Sequence, residues 1–566
     1  MSKLALKLSA LALPLTAASL CVTYAPDAQA CGGTFCDTGP QVMPVDQTGE
    51  NILFVREGDR VEAHIQIQYD GDPERFAWVI PVTALPEVRV SSQALFDNLL
   101  SATVPAFAQQ SSFDCQGNDR RGGWGCQDAA LAGSLADESF GTAGGDDGAQ
   151  NDGGGPEIVA RGVAGAFQYD ILQGGTVDEL VNWLNDNNYQ QDEDAPDILA
   201  QYLAEDYLFV AVKLQSGAGI DEIQPLVLDY QGDAPCIPLR LTAIAAADDM
   251  PVRAFFMGDA RTVPTNYQLV EPNWARMDWD NLGSDYNELI SLAIDEADDG
   301  HGWVTEYAGT SSLVSAAGLL GPTWSALAFL DIAAIDVVDR LTSQGLMFCD
   351  QSEGCTYEHP LVEPLLNEYL PVPDGVSDDA FYACLECHEA LIDTAAWDAQ
   401  AFSDAFDERI VKPGERAIEI LDSHGYLTRL FTTLSPHEMT VDPTFHVNSD
   451  LDDVGTQKTG VEHFECELPN WWETPNGYVV HTDSDGNYPT LSDAPAAHTL
   501  YRAPASGALM VEQDNTEAIQ DVVDAWNKAN PLHDEGRDCA LSPRGGARGW
   551  MMLAFILGFA GFRRRR

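Results

Sequence analysis

One short segment carries residues whose types and spacing could bind a cofactor. Cys384, Cys387 and His388 form a C-x-x-C-H motif, the pattern in which two thiols attach c-type haem and the histidine ligates its iron. Met439 or His437 would then supply the sixth iron ligand. The alternative is a disulfide between the two cysteines, with the histidine at the surface. Because the motif lies inside the body of the chain and not in a separate cytochrome module, we expect the disulfide and no cofactor.

A second segment combines several candidate metal ligands. His481, Asp483, Asp485 and Asn487 are closely spaced, but the segment lacks the first Asp and the last Glu of an EF-hand loop. Asp485 followed by glycine, between two alternating runs, is instead a strong hairpin-turn signal. We therefore expect a turn here and predict no metal site.

The chain contains no linear motif for hydrolytic or phosphate chemistry. Its 11 histidines include no H-E-x-x-H pair, and neither G-x-S-x-G nor a glycine-rich phosphate loop occurs. His64 alternates with Ile65 and Ile67, so we expect it to face solvent on a strand. His301, beside Trp303 and Glu306, could belong to a site, but a loop before a strand explains it equally well. No catalytic residue is predicted, and a hydrolase whose site is not linear in sequence remains an alternative.

The cysteines predict a disulfide-stabilised exported protein. Of the 12 cysteines, Cys21 falls in the N-terminal apolar run and Cys539 lies near the C-terminus. The others form an even set, as expected for an oxidising compartment. Short spacings favour four local pairs and leave one long-range pair: Cys31–Cys36, Cys115–Cys126, Cys349–Cys355, Cys384–Cys387 and Cys236–Cys466. Other pairings remain open on the sequence alone.

Residues 1–30 have the pattern of a secretory signal peptide. Two lysines precede an apolar run over residues 8–22, and Ala28, Gln29 and Ala30 then form an A-x-A cleavage site. Cleavage after Ala30 would leave Cys31 as the mature N-terminus. A lipoprotein signal needs leucine in place of Ala28 and a small residue in place of Gln29. We therefore favour ordinary signal peptidase.

Residues 536–566 have the pattern of a second targeting signal, in addition to the signal peptide. Cys539 is followed by an apolar run over 549–562 and by four arginines at 563–566. As a helix the 14-residue run would be about 21 Å long, shorter than the roughly 30 Å hydrocarbon core of a bilayer. The arginines would hold the tail on the cytoplasmic side. We expect a short transmembrane segment recognised by a protease, with a plain C-terminal anchor as the alternative.

These features together resemble a known class of sorting tail. The cysteine, the short helix and the terminal arginines are similar to the MYXO-CTERM signal, and Gly545-Gly546 is similar to the GlyGly-CTERM signal. The resemblance implies that an intramembrane enzyme cleaves near Cys539 and passes the protein to the cell surface. Export machinery and this sorting protease are the expected partners. The membrane is contacted through the tail before processing.

Composition limits the classes of function to consider. The chain has 566 residues, with 29 basic and 89 acidic side chains and a formal net charge of −60. Nucleic acid and anionic membrane are poor partners for such a body, since binding either one needs clustered lysine and arginine. The apolar content of 45% is ordinary for a packed core and excludes wholesale disorder.

The periodicity along the chain predicts an α+β fold, with a strand-rich N-terminal half and a mostly helical second half. Residues 61–69 alternate cleanly, and Asp70-Gly71 would turn the chain back into 76–80 as an antiparallel hairpin. Residues 111–156 lose periodicity and predict a flexible Asp- and Gly-rich insertion. Further strands are predicted at 51–55, 207–214, 224–230, 237–244, 252–257, 477–481 and 488–491. Helices are predicted at 92–104, 176–187, 197–204, 286–296, 326–342, 361–369, 379–392, 408–421 and 516–528.

Several scattered segments of the body together carry a resemblance to one protein family. They are Cys31–Gly33, Pro44–Gln47, His64–Tyr69, Phe76–Val82, Pro238–Ile244, Val304–Gly309, Thr432–Pro436 and Met439–Pro443. Together they resemble the domain of unknown function 2330 family of exported bacterial proteins. We assign 31–450 to this domain and 451–535 to a C-terminal extension with a hairpin and a helix. The resemblance implies an exported, surface-associated protein, and the family has no established activity from which a catalytic residue could be carried over.

The expected function follows from these patterns. We predict an exported protein of the outer surface or envelope of a Gram-negative bacterium, delivered through the inner membrane. Its expected role is non-enzymatic, in binding or in envelope structure, without a cofactor or a metal. An electron-transfer protein with c-type haem at Cys384, Cys387 and His388 is the first alternative, and a secreted hydrolase is the second.

Overall fold

The computed structural model describes residues 46–70, 76–114, 155–189, 195–216, 218–219, 222–232, 235–244, 246–350, 354–394, 397–465 and 469–532. Its strands are β1 Asp46–Glu57, β2 Arg60–Asp70, β3 Ala77–Val82, β4 Glu87–Val90, β5 Ala106–Asp114, β6 Glu157–Ala164, β7 Phe167–Gln173, β8 Leu208–Leu214, β9 Leu226–Gln231, β10 Met250–Gly258, β11 Thr262–Pro264, β12 Gln268–Pro272, β13 Gly302–Thr310, β14 Met347–Asp350, β15 Gly354–Tyr357, β16 Tyr426–Leu434, β17 Phe445–Val447, β18 Gln457–Glu465, β19 Trp471–Glu473, β20 Val479–His481, β21 Ala497–Arg502 and β22 Met510–Asp514. Its α-helices are α1 Gln93–Thr103, α2 Val177–Asp186, α3 Ala195–Ala204, α4 Leu239–Thr242, α5 Tyr286–Asp295, α6 Val337–Ser343, α7 Val362–Tyr369, α8 Asp378–Tyr382, α9 Ala399–Phe406, α10 Lys412–Ser423 and α11 Thr516–Ala529. Short 3₁₀ helices include Ala326–Phe329 and Leu385–Leu391, and a π-helical turn, Asp407–Val411, joins α9 to α10.

A ten-stranded mixed sheet forms the centre of the molecule, in the order β22-β21-β12-β13-β16-β10-β1-β2-β9-β4. β1 and β2 form a hairpin whose turn contains Gly58, and its φ of +66° suits glycine. β1 runs parallel to β10, and β10 pairs antiparallel with β16. β10 and β16 are largely buried along their length, which explains their nearly continuous apolar sequences.

The predicted hairpin between residues 61–69 and 76–80 is wrong. β2 pairs with β1 and β9, whereas β3 pairs with β8 in a separate four-stranded sheet of order β3-β8-β7-β6. Every residue of β3 is buried, so this strand needs cover on both faces, which a surface hairpin does not provide. Alternation identified both strands, but β2 forms its hairpin with the strand before it, and β3 pairs with β8 from a distant part of the chain.

The two sheets stack face to face with the main core between them. Ile52 and Phe54 of the ten-stranded sheet share this core with Trp78 and Val210 of the four-stranded sheet. α2 and α3 cover the outer face of the four-stranded sheet. α1 and α10 cover the outer face of the ten-stranded sheet, where they pack on residues such as Leu53. The chain is therefore layered as helix, sheet, sheet and helix.

The α+β class is confirmed, and most predicted helices are present with ends shifted by one or two residues. The predicted strand at 237–244 is wrong, because the segment forms α4. Residues 488–491 form no strand in the structure, and the predicted helix at 326–342 is divided between 3₁₀ turns and α6. The second half is only partly helical, since its helices concentrate between β13 and β16 while β16–β22 follow as strands.

A helical lobe is inserted between β13 and β16, which are neighbours in the ten-stranded sheet. Residues 326–411 supply its own hydrophobic core, built around Phe329, Phe402 and Phe406. Two predicted disulfides are present here: Cys349–Cys355 joins β14 to β15, and Cys384–Cys387 begins the 3₁₀ helix Leu385–Leu391. The C-x-x-C-H motif therefore lies on a compact insertion with its own core, which the sequence pattern did not indicate.

One histidine is buried inside this lobe. His359 is 6% exposed, and its ring packs edge-on against Trp324 with ring centroids 5.8 Å apart. Its Nδ1 accepts a hydrogen bond from the backbone N–H of Leu361 at 3.2 Å. Burial lowers the pKa of His359 from 6.5 to about 4. The folded lobe therefore holds this histidine neutral, with the proton kept off the nitrogen that accepts.

We predict that His359 makes the protein sensitive to acid. Between pH 6.5 and 4 the unfolded chain binds a proton that the folded lobe excludes, so folding stability is lost as the pH falls through this window. The loss at pH 4 should be on the order of 3 kcal/mol. His359→Asn keeps an acceptor for Leu361 but cannot titrate.

Urea unfolding at pH 7.5 and at pH 4.5 measures the effect. The variant should lose less stability on acidification than the wild type. His437→Asn, at an exposed position, is the matched control and should follow the wild-type curve. Parallel curves for the wild type and His359→Asn would contradict the prediction.

Candidate functional site

The candidate site lies on the helix-covered face of β2. In the β1–β2 pairing His64 is opposite Leu53 and Glu62 is opposite Val55, so all four side chains share one face of the sheet. α1 and α10 pack on this face. His64 is therefore only 1% exposed, and the expectation that it faces solvent is wrong. The helix that covers His64 is α10, which lies far from β2 along the chain.

Glu62, His64 and Ser91 form a connected buried row. His64 Nδ1 lies 2.6 Å from Ser91 Oγ, within hydrogen-bond distance. His64 Nε2 lies 3.0 Å from Oε1 of Glu62. Ser91 occupies the short junction between β4 and α1, and all three residues are buried. A carboxylate, an imidazole and a hydroxyl in this order are the parts needed to activate a serine.

Arg416 of α10 fixes the carboxylate end of the row. Its Nη2 donates to Glu62 Oε2 at 2.6 Å and its Nε donates to the same oxygen at 3.1 Å. The same guanidinium also reaches the exposed Glu57 and Glu419. Burial by itself would raise the pKa of Glu62, but the contacts with His64 and Arg416 outweigh it and hold that pKa far below its usual range. Glu62 is therefore a carboxylate at every physiological pH.

The backbone of Ser91 is held independently of its side chain. Its N–H donates to the carbonyl of Pro225 at 2.7 Å, and its carbonyl accepts from Nε2 of Gln224 at 3.3 Å. The same Gln224 nitrogen donates to the carbonyl of Arg409 in the π-helical turn at 2.8 Å. Arg409 in turn pairs with the buried Glu222 at 2.5 Å. This network ties the serine to the end of the helical lobe.

A cavity of about 50 Å³ opens beside these residues. It is lined by Glu62, His64, Arg89, Val90, Ser91, Val227, Glu408, Lys412, Pro413 and Arg416. The side chains of Glu408 and Lys412 are more than half exposed, so the mouth lies at the start of α10. His64 and Ser91 are buried, so they form the deep end of the cavity.

The structure separates the residues of the haem hypothesis. Cys384 and Cys387 are joined in a disulfide on the helical lobe, where the ring of His388 lies 5.9 Å from that of Phe381. Met439 is buried in the main core between the two sheets, in a different hydrophobic cluster from the lobe. A sulfur in a disulfide has no thiol to form a thioether, so haem attachment would require this pair in its reduced form.

Several predicted site residues fall outside the described residues. They are Ala30, Cys31, Cys36, Cys115, Cys126, Cys466 and Cys539. Cys236 is described and has no disulfide partner among the described residues. It borders an apolar cavity between the two sheets, and burial raises the pKa of its thiol to about 12. Its predicted bridge to Cys466 stays a prediction.

The segment 481–487 contains a turn, but the predicted hairpin is wrong, because residues 488–491 form no strand and β20 pairs with β19. Asp483 Oδ1 accepts hydrogen bonds from the backbone N–H groups of Asp485 and Asn487, at 2.8 and 2.9 Å. His481 Nδ1 lies 2.8 Å from the carbonyl of Asn530, next to α11. Within the described ranges no group of three or more His, Cys, Asp or Glu residues is arranged to hold a metal ion. Within the same ranges no helix has the length and apolarity needed to cross a membrane.

The sequence contained a signal for the site that the motif search missed. Glu62 and His64 are two residues apart on a strand, which places both on one face. Ser91 follows a strand and precedes a helix, but the glycines of a G-x-S-x-G motif are absent. Other charged residues of the family-like segments are buried in the same way: Glu306 pairs with Arg429, and Arg240 pairs with Asp442.

Comparison with known proteins identifies one family. A family model described as an uncharacterized protein conserved in bacteria (DUF2330) matches residues 25–445, more than two thirds of the chain. No curated protein matches, and no solved structure matches. The match covers β1 to β16, the helical lobe and all residues of the Glu62–His64–Ser91 row.

We predict that the Arg416–Glu62 pair holds α10 on the sheet. Arg416→Gln leaves the buried Glu62 without its main cation, so the free energy of unfolding should fall by about 3 kcal/mol. Urea unfolding followed by circular dichroism measures the change. The control is Arg60→Gln, which removes a more exposed arginine of β2 from its pair with Asp229 of β9. It should lower the free energy of unfolding by less than about 1 kcal/mol.

The double variant Glu62→Gln with Arg416→Gln separates pairing from packing. Because neither partner is then left charged and alone, its loss should be smaller than the sum of the two single losses. Equal losses of unfolding free energy for Arg416→Gln and Arg60→Gln would show that the buried pair stabilises the fold no more than the exposed pair does.

Proposed function

We propose that this chain, which belongs to the DUF2330 family of uncharacterized bacterial proteins, is an exported protein of the bacterial envelope with a binding or structural role. The signal-peptide pattern at residues 1–30 and the sorting-tail pattern at 536–566 support export and delivery to the surface. The body between them would work outside the cytoplasm, with the tail removed near Cys539 or kept as an anchor.

The observation that carries this proposal is the pair of closed disulfides in the helical lobe. Cys349 and Cys355 lie directly opposite each other on β14 and β15, and Cys384 and Cys387 close a single turn. Disulfides form and persist in oxidising compartments and are rare in the bacterial cytoplasm. Two such pairs in one small lobe therefore favour an exported protein.

The charge distribution bears on the partners that such a protein could bind. About half of the basic side chains among the described residues form ion pairs, such as Arg240 with Asp442 and Arg409 with Glu222. The surplus of 60 negative charges is therefore left to the remaining acidic side chains, and most of these face water. Such a surface repels nucleic acid and anionic lipid, and it favours solubility outside the cell.

Intact mass of the protein isolated from its native envelope tests the proposal. We expect a mass that begins at Cys31, ends near Cys539 and rises by two hydrogens per bridge on reduction. A mass that retains residues to Arg566 would indicate an anchor in place of a sorting signal. Extra mass equal to one haem that survives reduction would overturn the non-redox role. Recovery of the unprocessed chain in the cytoplasm would contradict export.

We also predict that the β14–β15 bridge stabilises the lobe. Replacing both Cys349 and Cys355 by serine should lower the free energy of unfolding by about 2 kcal/mol, because the bridge closes a short loop. Denaturant unfolding of oxidised protein measures this loss. In a strong reductant the wild type and the variant should converge, because every remaining bridge is then open in both, and an unchanged midpoint for the oxidised variant would contradict the prediction.

A further inference from the structure

We propose that Ser91, His64 and Glu62 form a hydrolase site that removes short acyl groups from esters. This inference goes beyond the envelope role and does not rest on it, since the geometry is independent of where the protein is delivered. Ser91 is the nucleophile, His64 the general base, and Glu62 a positioning residue that acts through His64.

The distances suit a nucleophile and its base. Ser91 Oγ and His64 Nδ1 are 2.6 Å apart, so the hydroxyl proton can pass directly to the ring. The other ring nitrogen, Nε2, lies 3.0 Å from Oε1 of Glu62, which is an ion-pair distance for a protonated ring but is not aligned as a hydrogen bond. The two ring nitrogens are used in the opposite order from the Ser-His-Asp triad of chymotrypsin, with the hydroxyl near one nitrogen and the carboxylate near the other.

Glu62 is held where it can orient the ring. Arg416 donates to both carboxylate oxygens from α10, at 2.6 Å to Oε2 and at 3.3 Å to Oε1, and Oε1 also faces His64. The carboxylate stabilises the imidazolium that forms when His64 takes the serine proton. Arg89 also approaches Oε1, at 3.7 Å, and pairs with Asp229 at 3.2 Å.

Ser91 lies just before α1, whose first N–H groups would have to turn toward the cavity to bind the oxyanion, since no residue of α1 lines it. α1 begins at Gln93, two residues after the serine, and no side chain caps its N-terminus. The first N–H groups of a helix have no intrahelical acceptor, and the helix dipole favours negative charge at that end. Backbone N–H groups beside a nucleophile form oxyanion holes in serine hydrolases.

The cavity limits the size of the substrate. Its volume of about 50 Å³ is roughly a third of the engineered protein cavity that binds benzene, which leaves room for an acetyl-sized acyl group. Glu408 and Lys412, which pair with each other on one helical turn, are exposed at the mouth of the cavity, so the alcohol part of the ester can remain outside. Short acyl esters of larger alcohols are therefore the substrate class that fits.

The reaction balances with water as the only co-reactant. Ser91 Oγ attacks the acyl carbon, its proton moves to Nδ1 of His64, and the ester C–O bond breaks as the alcohol leaves with that proton. Water then attacks the acyl-serine and gives a proton to the same nitrogen. The Oγ–carbon bond breaks, the carboxylic acid departs and Ser91 regains its proton. No group is oxidised or reduced.

Labelling with a fluorophosphonate probe tests the nucleophile. The folded mature protein should gain one adduct, and peptide mapping should place it on Ser91. Ser91→Ala should abolish the adduct, and His64→Gln should slow labelling at least about 100-fold. Ser101→Ala is the matched control, because Ser101 is an exposed serine on α1 and should label as the wild type does. Circular dichroism verifies that each variant is folded.

Hydrolysis of p-nitrophenyl esters tests the substrate class. The acetyl ester should be turned over faster than the octanoyl ester, and Ser91→Ala should lose at least about 100-fold in kcat/KM for the acetyl ester. Glu62→Gln should lower kcat with little change in KM, which a loss of packing alone would not produce. Absence of an adduct on the folded wild-type protein, or equal labelling of Ser91→Ala, would overturn the proposal.

Discussion

The ion pair between Glu62 and Arg416 is the contact on which the helix-covered side of the molecule depends. It joins residues separated by 354 positions, and through it α10 is held on the outer face of β2. Once α10 is in place, the polar face of β2 is removed from water. Every charged group on that face must then find a partner, because an unpaired buried charge costs several kcal/mol.

The other buried contacts follow from this constraint. Glu62 contacts both Arg416 and His64. The other ring nitrogen of His64 lies within hydrogen-bond distance of the Ser91 hydroxyl. The Ser91 backbone is fixed through Gln224 to the π-helical turn that precedes α10. The same helix therefore covers the row, pairs with its carboxylate and connects it to the helical lobe. π-Helical turns within α-helices are often found at functional sites.

Two parts of the molecule have different physical roles. The helical lobe has its own core and both described disulfides, which suits a stable surface module. The sheet layers carry the buried polar row and the cavity. The C-x-x-C-H motif lies on the lobe and the Glu62–His64–Ser91 row lies under α10, so the chemistry that the sequence suggested and the chemistry that the geometry suggests are at different places.

The sequence by itself determined most of the local elements, the α+β class and the family resemblance, and it favoured two short-range disulfides that the structure contains, because each depends on residues close together in the chain. It identified β2 and β3 but paired them wrongly, and it placed His64 in solvent. Only the tertiary structure decided these points, since β3 finds β8 and β2 is covered by α10 through contacts over more than a hundred residues. A strand face is polar in sequence both when it meets water and when it meets a buried partner charge, so periodicity cannot distinguish the two.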